Sequence, residues 1–202
     1  FTQLCMDWAC FQDNPWYRTG TIHWLDQTCS GWGHVACLTG DAELGQYTNV
    51  TGSLPADLYK GIGLLVDRYI DSKLKLDDLQ DREREYLEWW AAHPVPRSLH
   101  KKMFMPVIYG RSFLSLKQTV KEYLRDEVED FLTDEGYRVT DLAQAFASAA
   151  HQTIKKCFPQ INNLSRWLGG IGELQIKKGI RPHWLTPNKL MIQSYSNVTE
   201  KD

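Results

Sequence analysis

The chain has 202 residues, a formal net charge of −2, 43% hydrophobic residues and 24% charged residues. That balance is typical of a folded globular chain and excludes wholesale disorder, and the length allows one domain or two small lobes. The near-zero net charge by itself argues for no polyanionic partner, and no apolar run approaches the roughly 18 residues a membrane-spanning helix needs, so no membrane partner is expected.

Residues 1–12 predict a helix with Leu4, Trp8 and Phe11 on one face, broken at Asn14-Pro15. "GTIHWL" at 20–25 reads as a short strand, with Asp26 at its end, and "QTCSGWGHVACLTG" as a tight turn leading into a short helix. Ser53 is a plausible N-cap before Pro55, with Leu58, Ile62, Leu65 and Ile70 continuing a helix. An acidic, polar stretch at 71–92 surrounds Leu76 and Leu79 and ends in Trp89-Trp90. Pro94 and Pro96 interrupt, and a new helix is expected near Pro96. Leu116, Val120, Leu124 and Val128 recur every fourth residue, and Thr140 is expected to cap a helix reaching about Lys156. "GGIG" at 169–172 is a weak loop signal, and "RPHWLTPNKLMIQSY" reads as a turn with strand-like flanks. The expected fold is mainly α with a few strands.

Five cysteines (Cys5, Cys10, Cys29, Cys37 and Cys157) without a CxxC pair argue against a disulfide framework and for a reducing, intracellular compartment. The first residues lack the pattern of a signal peptide. The sequons at Asn49, Asn163 and Asn197 are therefore read as chance. Because residue 1 is Phe rather than Met, the chain reads as a piece of something longer.

Charge is segregated. Arg97, Lys101, Lys102, Arg111, Lys117, Lys121 and Arg125 form one basic stretch, while acid collects at 67–88 and 126–135. Such segregation permits a local anion site on a near-neutral protein, although solvated helix faces give the same pattern. Within "RSLHKKMFMPVIYG", Arg97, Lys101, Met105 and Tyr109 are spaced by four and form one drifting helical stripe. Cations near a helix N-terminus oppose the macrodipole. The conflict disappears if an anion binds the exposed N–H groups and the two basic side chains. Tyr109 could then stack on a base or ribose, with Gly110 a bare surface beside it. Pro106 should kink the helix near residues 102–106. A partly exposed amphipathic helix with snorkelling lysines fits the spacing equally well.

Asp26, before small residues, suits a metal held close to the backbone or a plain Asx-turn. Cys29, His34 and Cys37 carry zinc-competent atoms at a spacing unlike common zinc sites, and buried cysteines are the simpler reading.

Two of these stretches resemble the signatures of the single-subunit, phage-type DNA-dependent RNA polymerases of phages, mitochondria and chloroplasts. Val95, Arg97, Lys101, Phe104, Met105, Pro106 and Tyr109 match every fixed position of the fingers-helix signature, and Gly110 follows. Asp26, Thr28, Cys29, Ser30 and Gly31 match the palm signature, with Gln27 standing where Gly or Ala is expected. "HWLTP" at 183–187 resembles a later fingers segment. The resemblance implies a right-hand polymerase: a palm segment at 1–40 with the first catalytic aspartate, and a fingers subdomain at 41–202 containing a nucleotide-binding helix at 96–110.

It implies residue roles as well. Asp26 would bind metal, with the Gln27 carbonyl as a further ligand. Arg97 and Lys101 would hold the triphosphate, Lys101 would protonate the pyrophosphate leaving group, and Tyr109 would sense the ribose 2′-OH, with Met105 and Gly110 also in the nucleotide site. Two Mg²⁺ ions would serve templated ribonucleotidyl transfer, and DNA template, RNA product and NTPs would be the partners. The implied location is a host cytoplasm, mitochondrion or plastid.

The family's second catalytic aspartate has no counterpart before Asp202. The chain is therefore expected to be a fragment or one part of a split polymerase, inactive alone and completed by the portion carrying that aspartate. Two other readings compete. A family A DNA polymerase would carry Glu at position 31 and an aromatic residue at 105, where this chain has Gly31 and Met105. A non-catalytic helical nucleic-acid-binding module would need only the phosphate contacts.

Overall fold

A computed structural model describes residues 2–20, 28–134, 136–186 and 188–193. The expected strand at 20–25, Asp26 and Gln27 fall outside the described residues, apart from Gly20.

The described residues are mainly helical. α1 (Thr2–Asp13) leads to α2 (Ser30–Thr39), α3 (Ala42–Tyr47), α4 (Leu58–Leu74), α5 (Asp81–Ala92) and α6 (Arg97–Phe104). A 3₁₀ turn (Val107–Tyr109) follows, then α7 (Phe113–Asp134), α8 (Val139–Cys157) and α9 (Pro159–Lys177). An antiparallel hairpin is the last described element, with β1 (His183–Leu185) paired to β2 (Met191–Gln193) and Trp184 opposite Ile192. This is the turn with strand-like flanks expected there.

α8 is the centre of the bundle and packs against α4, α5, α7 and α9. Its small residues Ala143, Ala147 and Ala150 are fully buried, which lets α7 lie close along it. The four-residue repeat on α7 does what its spacing predicts: Leu116, Val120 and Leu124 are buried, and Val128 packs at the edge of the core. Trp90 is buried against Phe146 and its indole N–H donates to the Leu142 carbonyl at 2.9 Å, so the ring's polar atom is satisfied inside the core.

Five local expectations are corrected. α4 begins at Leu58 and its N-cap is Asp57, not Ser53: Asp57 Oδ1 accepts from the N–H groups of Tyr59 and Lys60. Ser53 is separated from the helix by a loop that Asn49 clasps at Ala56 through both its amide atoms. α8 starts at Val139, after Arg138, so Thr140 sits in the first turn and donates to Asp141 rather than capping. Gly169–Gly172 lies inside α9, whose backbone ladder runs through all three glycines instead of opening into a loop. The helix expected over 96–110 stops at Phe104. Its last amide bond is Met105 N–H to the Lys101 carbonyl at 3.0 Å. Pro106 has no N–H to continue the ladder, the chain tightens into the 3₁₀ turn, and Gly110 ends it at φ 81°. Finally, Cys37 is exposed and Cys29 half-buried, so neither is the buried core cysteine expected.

In α1 the expected apolar face is partly visible. Trp8 and Phe11 are exposed neighbours, with ring centroids 6.0 Å apart, while the side chain of Leu4 falls outside the described residues.

Candidate functional site

α6 is sharply two-faced. Leu99, His100, Met103 and Phe104 face inward and are buried. Arg97, Lys101 and Met105 face outward. Because the break falls after Phe104 and the 3₁₀ turn continues the same winding, Tyr109 joins that outward side with 77% of its surface exposed. Arg97, Lys101, Met105 and Tyr109 together line one open cleft of about 480 Å³.

The opposite wall comes from residues far away in sequence. Thr28, Cys29, Ser30, Gly31 and Trp32 line the same cleft, with Tyr59 and Ile108. Three contacts fix the two walls. Trp32 is buried and its indole N–H donates to the Phe104 carbonyl at 3.2 Å, tying α2 to the end of α6. Gly31 lies so close to the 3₁₀ turn that a Cβ there would stand 2.0 Å from Ile108 Cδ1 and 3.0 Å from the Tyr109 hydroxyl. Arg111 donates to the Lys102 carbonyl and to Ser115 and Thr119, bracing the end of α6 against α7.

The cleft's electrostatics favour an anion. Neither α2 nor α6 has a side-chain cap: their N-caps are Cys29, in the left-handed region at φ 54°, and Pro96. Both first turns border the cleft, so their partial positive ends add to Arg97; Lys101, expected near the N-terminus, instead sits in the last turn of the shortened α6, so only Arg97 opposes that helix's dipole. The Lys101 ammonium makes no hydrogen bond or ion pair with any described residue. Arg97 donates through Nε to Asp57 Oδ2, and its guanidinium stands 5.7 Å from the Tyr59 ring centroid. Burial works against the charge on Asp57, but the Arg97 hydrogen bond and the N–H groups of Lys60 and Tyr59 outweigh it and hold the carboxyl below its usual range. Burial raises the Cys29 thiol above its ordinary value, with Asp57 adding to the shift, so Cys29 is a neutral part of the wall.

Asp26 and Gln27 precede Thr28 directly but fall outside the described residues. Among the described residues, no group of three or more His, Cys, Asp or Glu side chains converges as a metal cluster would. His34 and Cys37 are both exposed on α2, away from the cleft lining.

Asp57, Tyr59, Trp32 and Ile108 belong to the site although sequence reasoning missed them. Asp57 had a legible signal, an N-cap residue before an apolar helical period. Its bond to Arg97, forty positions away, had none.

Residues 4–202 match the family model of DNA-dependent RNA polymerase, and the chain belongs to that family. Similar curated proteins come from the three settings the sequence pointed to. The DNA-directed RNA polymerase of Pseudomonas phage phiKMV is 27% identical over 91% of this chain and 22% of its own length. The mitochondrial DNA-directed RNA polymerase of Neurospora crassa is 28% identical over 73% of this chain and 10% of its own length. The chloroplastic DNA-directed RNA polymerase 3 of Nicotiana sylvestris is 27% identical over 84% of this chain and 17% of its own length. The chain thus spans about a fifth or less of these three relatives. No helix among the described residues is long and apolar enough to cross a membrane.

Proposed function

We propose that this chain forms the nucleoside-triphosphate site of a DNA-directed RNA polymerase, with residues 1–40 as a palm segment and 41–202 as fingers. The observation that carries the reading is the shared cleft. Four outward side chains of the 97–109 segment meet residues 28–32 across it, beside two uncapped helix N-termini. Arg97 and Lys101 take the phosphates, Arg97 as a planar fork and Lys101 as a mobile ammonium. An ammonium with no competing partner among the described residues is also a suitable proton donor to departing pyrophosphate. Met105 and Tyr109 cover the base and ribose, and Gly110 leaves space beside them. Gly31 packs directly against Ile108 and the Tyr109 hydroxyl, so the Glu of a family A DNA polymerase does not fit there without displacing both, which favours the ribonucleotide reading.

Asp26 is proposed as a metal ligand, with the Gln27 carbonyl beside it. Oxygen donors of this kind suit Mg²⁺, which takes one or two carboxylates together with substrate phosphates and water. When bound, the metal supplies charge neutralisation for phosphoryl transfer. A second carboxylate comes, on this reading, from the remainder of the polymerase. DNA template and RNA product are the remaining partners. The chain alone binds nucleotide without polymerising it.

Calorimetric titration of ATP into the chain tests the triphosphate site. Saturable binding that weakens by roughly ten- to a hundredfold in Arg97→Ala or Lys101→Ala is expected, the size of a lost hydrogen bond between charged groups. Binding indifferent to both substitutions overturns the reading. In a polymerase reconstituted with its missing portion, Asp26→Asn is expected to abolish synthesis while nucleic-acid binding survives. Unimpaired synthesis refutes the role of Asp26.

A further inference from the structure

We infer that Asp57 is a positioning residue for the nucleotide: it fixes the Arg97 guanidinium so that its two terminal nitrogens face the cleft. The inference rests on the triphosphate reading of Arg97.

The division of labour within one carboxylate carries it. Oδ1 accepts from the N–H groups of Tyr59 and Lys60, at 3.1 and 3.2 Å, and so caps α4. That cap locks the carboxylate to a rigid helix end. Oδ2 is left to face Arg97 and takes the Nε–H alone. Among the described residues, neither terminal nitrogen of Arg97 has a hydrogen bond. Because Nε points away from the fork's end, an Nε contact orients the guanidinium without occupying the pair of N–H groups that grips a phosphate. The Tyr59 ring restricts the fork from a second side, 5.7 Å from its carbon. Tyr59 is buried at the start of α4, so the same helix end supplies both constraints.

Arginine loses considerable rotamer freedom when it binds, and an arginine held in advance loses less. The carboxylate also compensates charge while Arg97 waits for its ligand. The other arrangement, in which Asp57 competes with phosphate for the fork, requires the carboxylate to sit on the terminal nitrogens, and it does not.

Asp57→Ser separates the two jobs. Serine caps a helix about as well as aspartate but is too short to reach Arg97. With ATP as the probe and this chain as the protein, Asp57→Ser is expected to weaken binding about two- to tenfold, the scale of ordering one long side chain. The thermal midpoint should stay near that of the unmodified chain. In an Arg97→Ala background the same substitution should change ATP binding no further.

Equal or tighter binding by Asp57→Ser overturns the inference, the latter pointing to competition. So does a second, additive loss in the Arg97→Ala background, which means Asp57 acts independently of Arg97. These outcomes leave the triphosphate reading standing as long as Arg97→Ala itself weakens binding. If Arg97→Ala has no effect, the triphosphate reading fails, and the inference with it.

Discussion

The two faces of the 97–109 segment obey different rules. Inward, Leu99, Met103 and Phe104 are each no more than 2% exposed, and His100 is 5% exposed. Outward, Met105 and Tyr109 are 46% and 77% exposed, and the Lys101 ammonium has no partner among the described residues. Burial of apolar surface explains Leu99, Met103 and Phe104 on the first face. It explains nothing on the second, where a methionine and a tyrosine stand in water beside two cations. One segment thus carries a face held by packing and a face that packing leaves open, which on the proposed reading answers to a nucleotide.

The largest effect that probes this contrast is on the inward face. Phe104→Ala empties a fully buried site and should cost about 3–5 kcal/mol in chemical denaturation. A loss below about 1 kcal/mol would mean that α6 is not seated in the core as described.

Next comes pH. Burial lowers the His100 pKa to about 4, from 6.5 in the unfolded chain. The ring packs against Gly63, and its Nε2 has no hydrogen-bond partner among the described residues. The unfolded chain therefore takes up a proton that the fold refuses. This contribution to stability is intact above pH 6.5, falls as pH drops from about 6.5 to 4, and totals on the order of 3 kcal/mol. Unfolding free energies measured across that window should show a smaller fall for His100→Phe than for the unmodified chain. Identical pH profiles would place His100 in solvent.

Trp32→Phe removes the donor to the Phe104 carbonyl and should cost about 1–3 kcal/mol. It should also weaken ATP binding, because it loosens one wall of the cleft from the other. Smallest is Arg97→Ala, whose half-exposed ion pair with Asp57 is worth less than about 1 kcal/mol of stability. A near-unchanged thermal midpoint with a large loss of nucleotide binding sharpens the contrast between the faces. A large drop in the midpoint would break it.

The same contrast marks what was legible in the sequence. Apolar periods are local, so α7, the core side of α6 and the β1–β2 hairpin could be read directly. The break at Pro106 could be placed, but not its size: the missing N–H predicts a kink, whereas the structure ends the helix and starts a 3₁₀ turn. The stripe of Arg97, Lys101, Met105 and Tyr109 survives this because the turn keeps winding the same way. Caps were read less well. Ser53 and Asp57 are both good N-cap types, and only packing of the apolar face decides which one the helix starts from. Contacts between distant segments were not legible at all. The approach of Gly31 to Tyr109 and the bond from Asp57 to Arg97 are set by how α2, α4 and α6 meet, and no spacing along the chain encodes that meeting.

The cleft shared by residues 28–32 and 97–109 is the centre of this account, and photolabelling with 8-azido-ATP tests it most directly. Peptide mapping after irradiation should place the adduct on the segment around Met105 and Tyr109. Excess ATP should suppress it, and Arg97→Ala/Lys101→Ala should reduce it. An adduct on α9 or the hairpin, or one that ATP does not displace, would contradict the account.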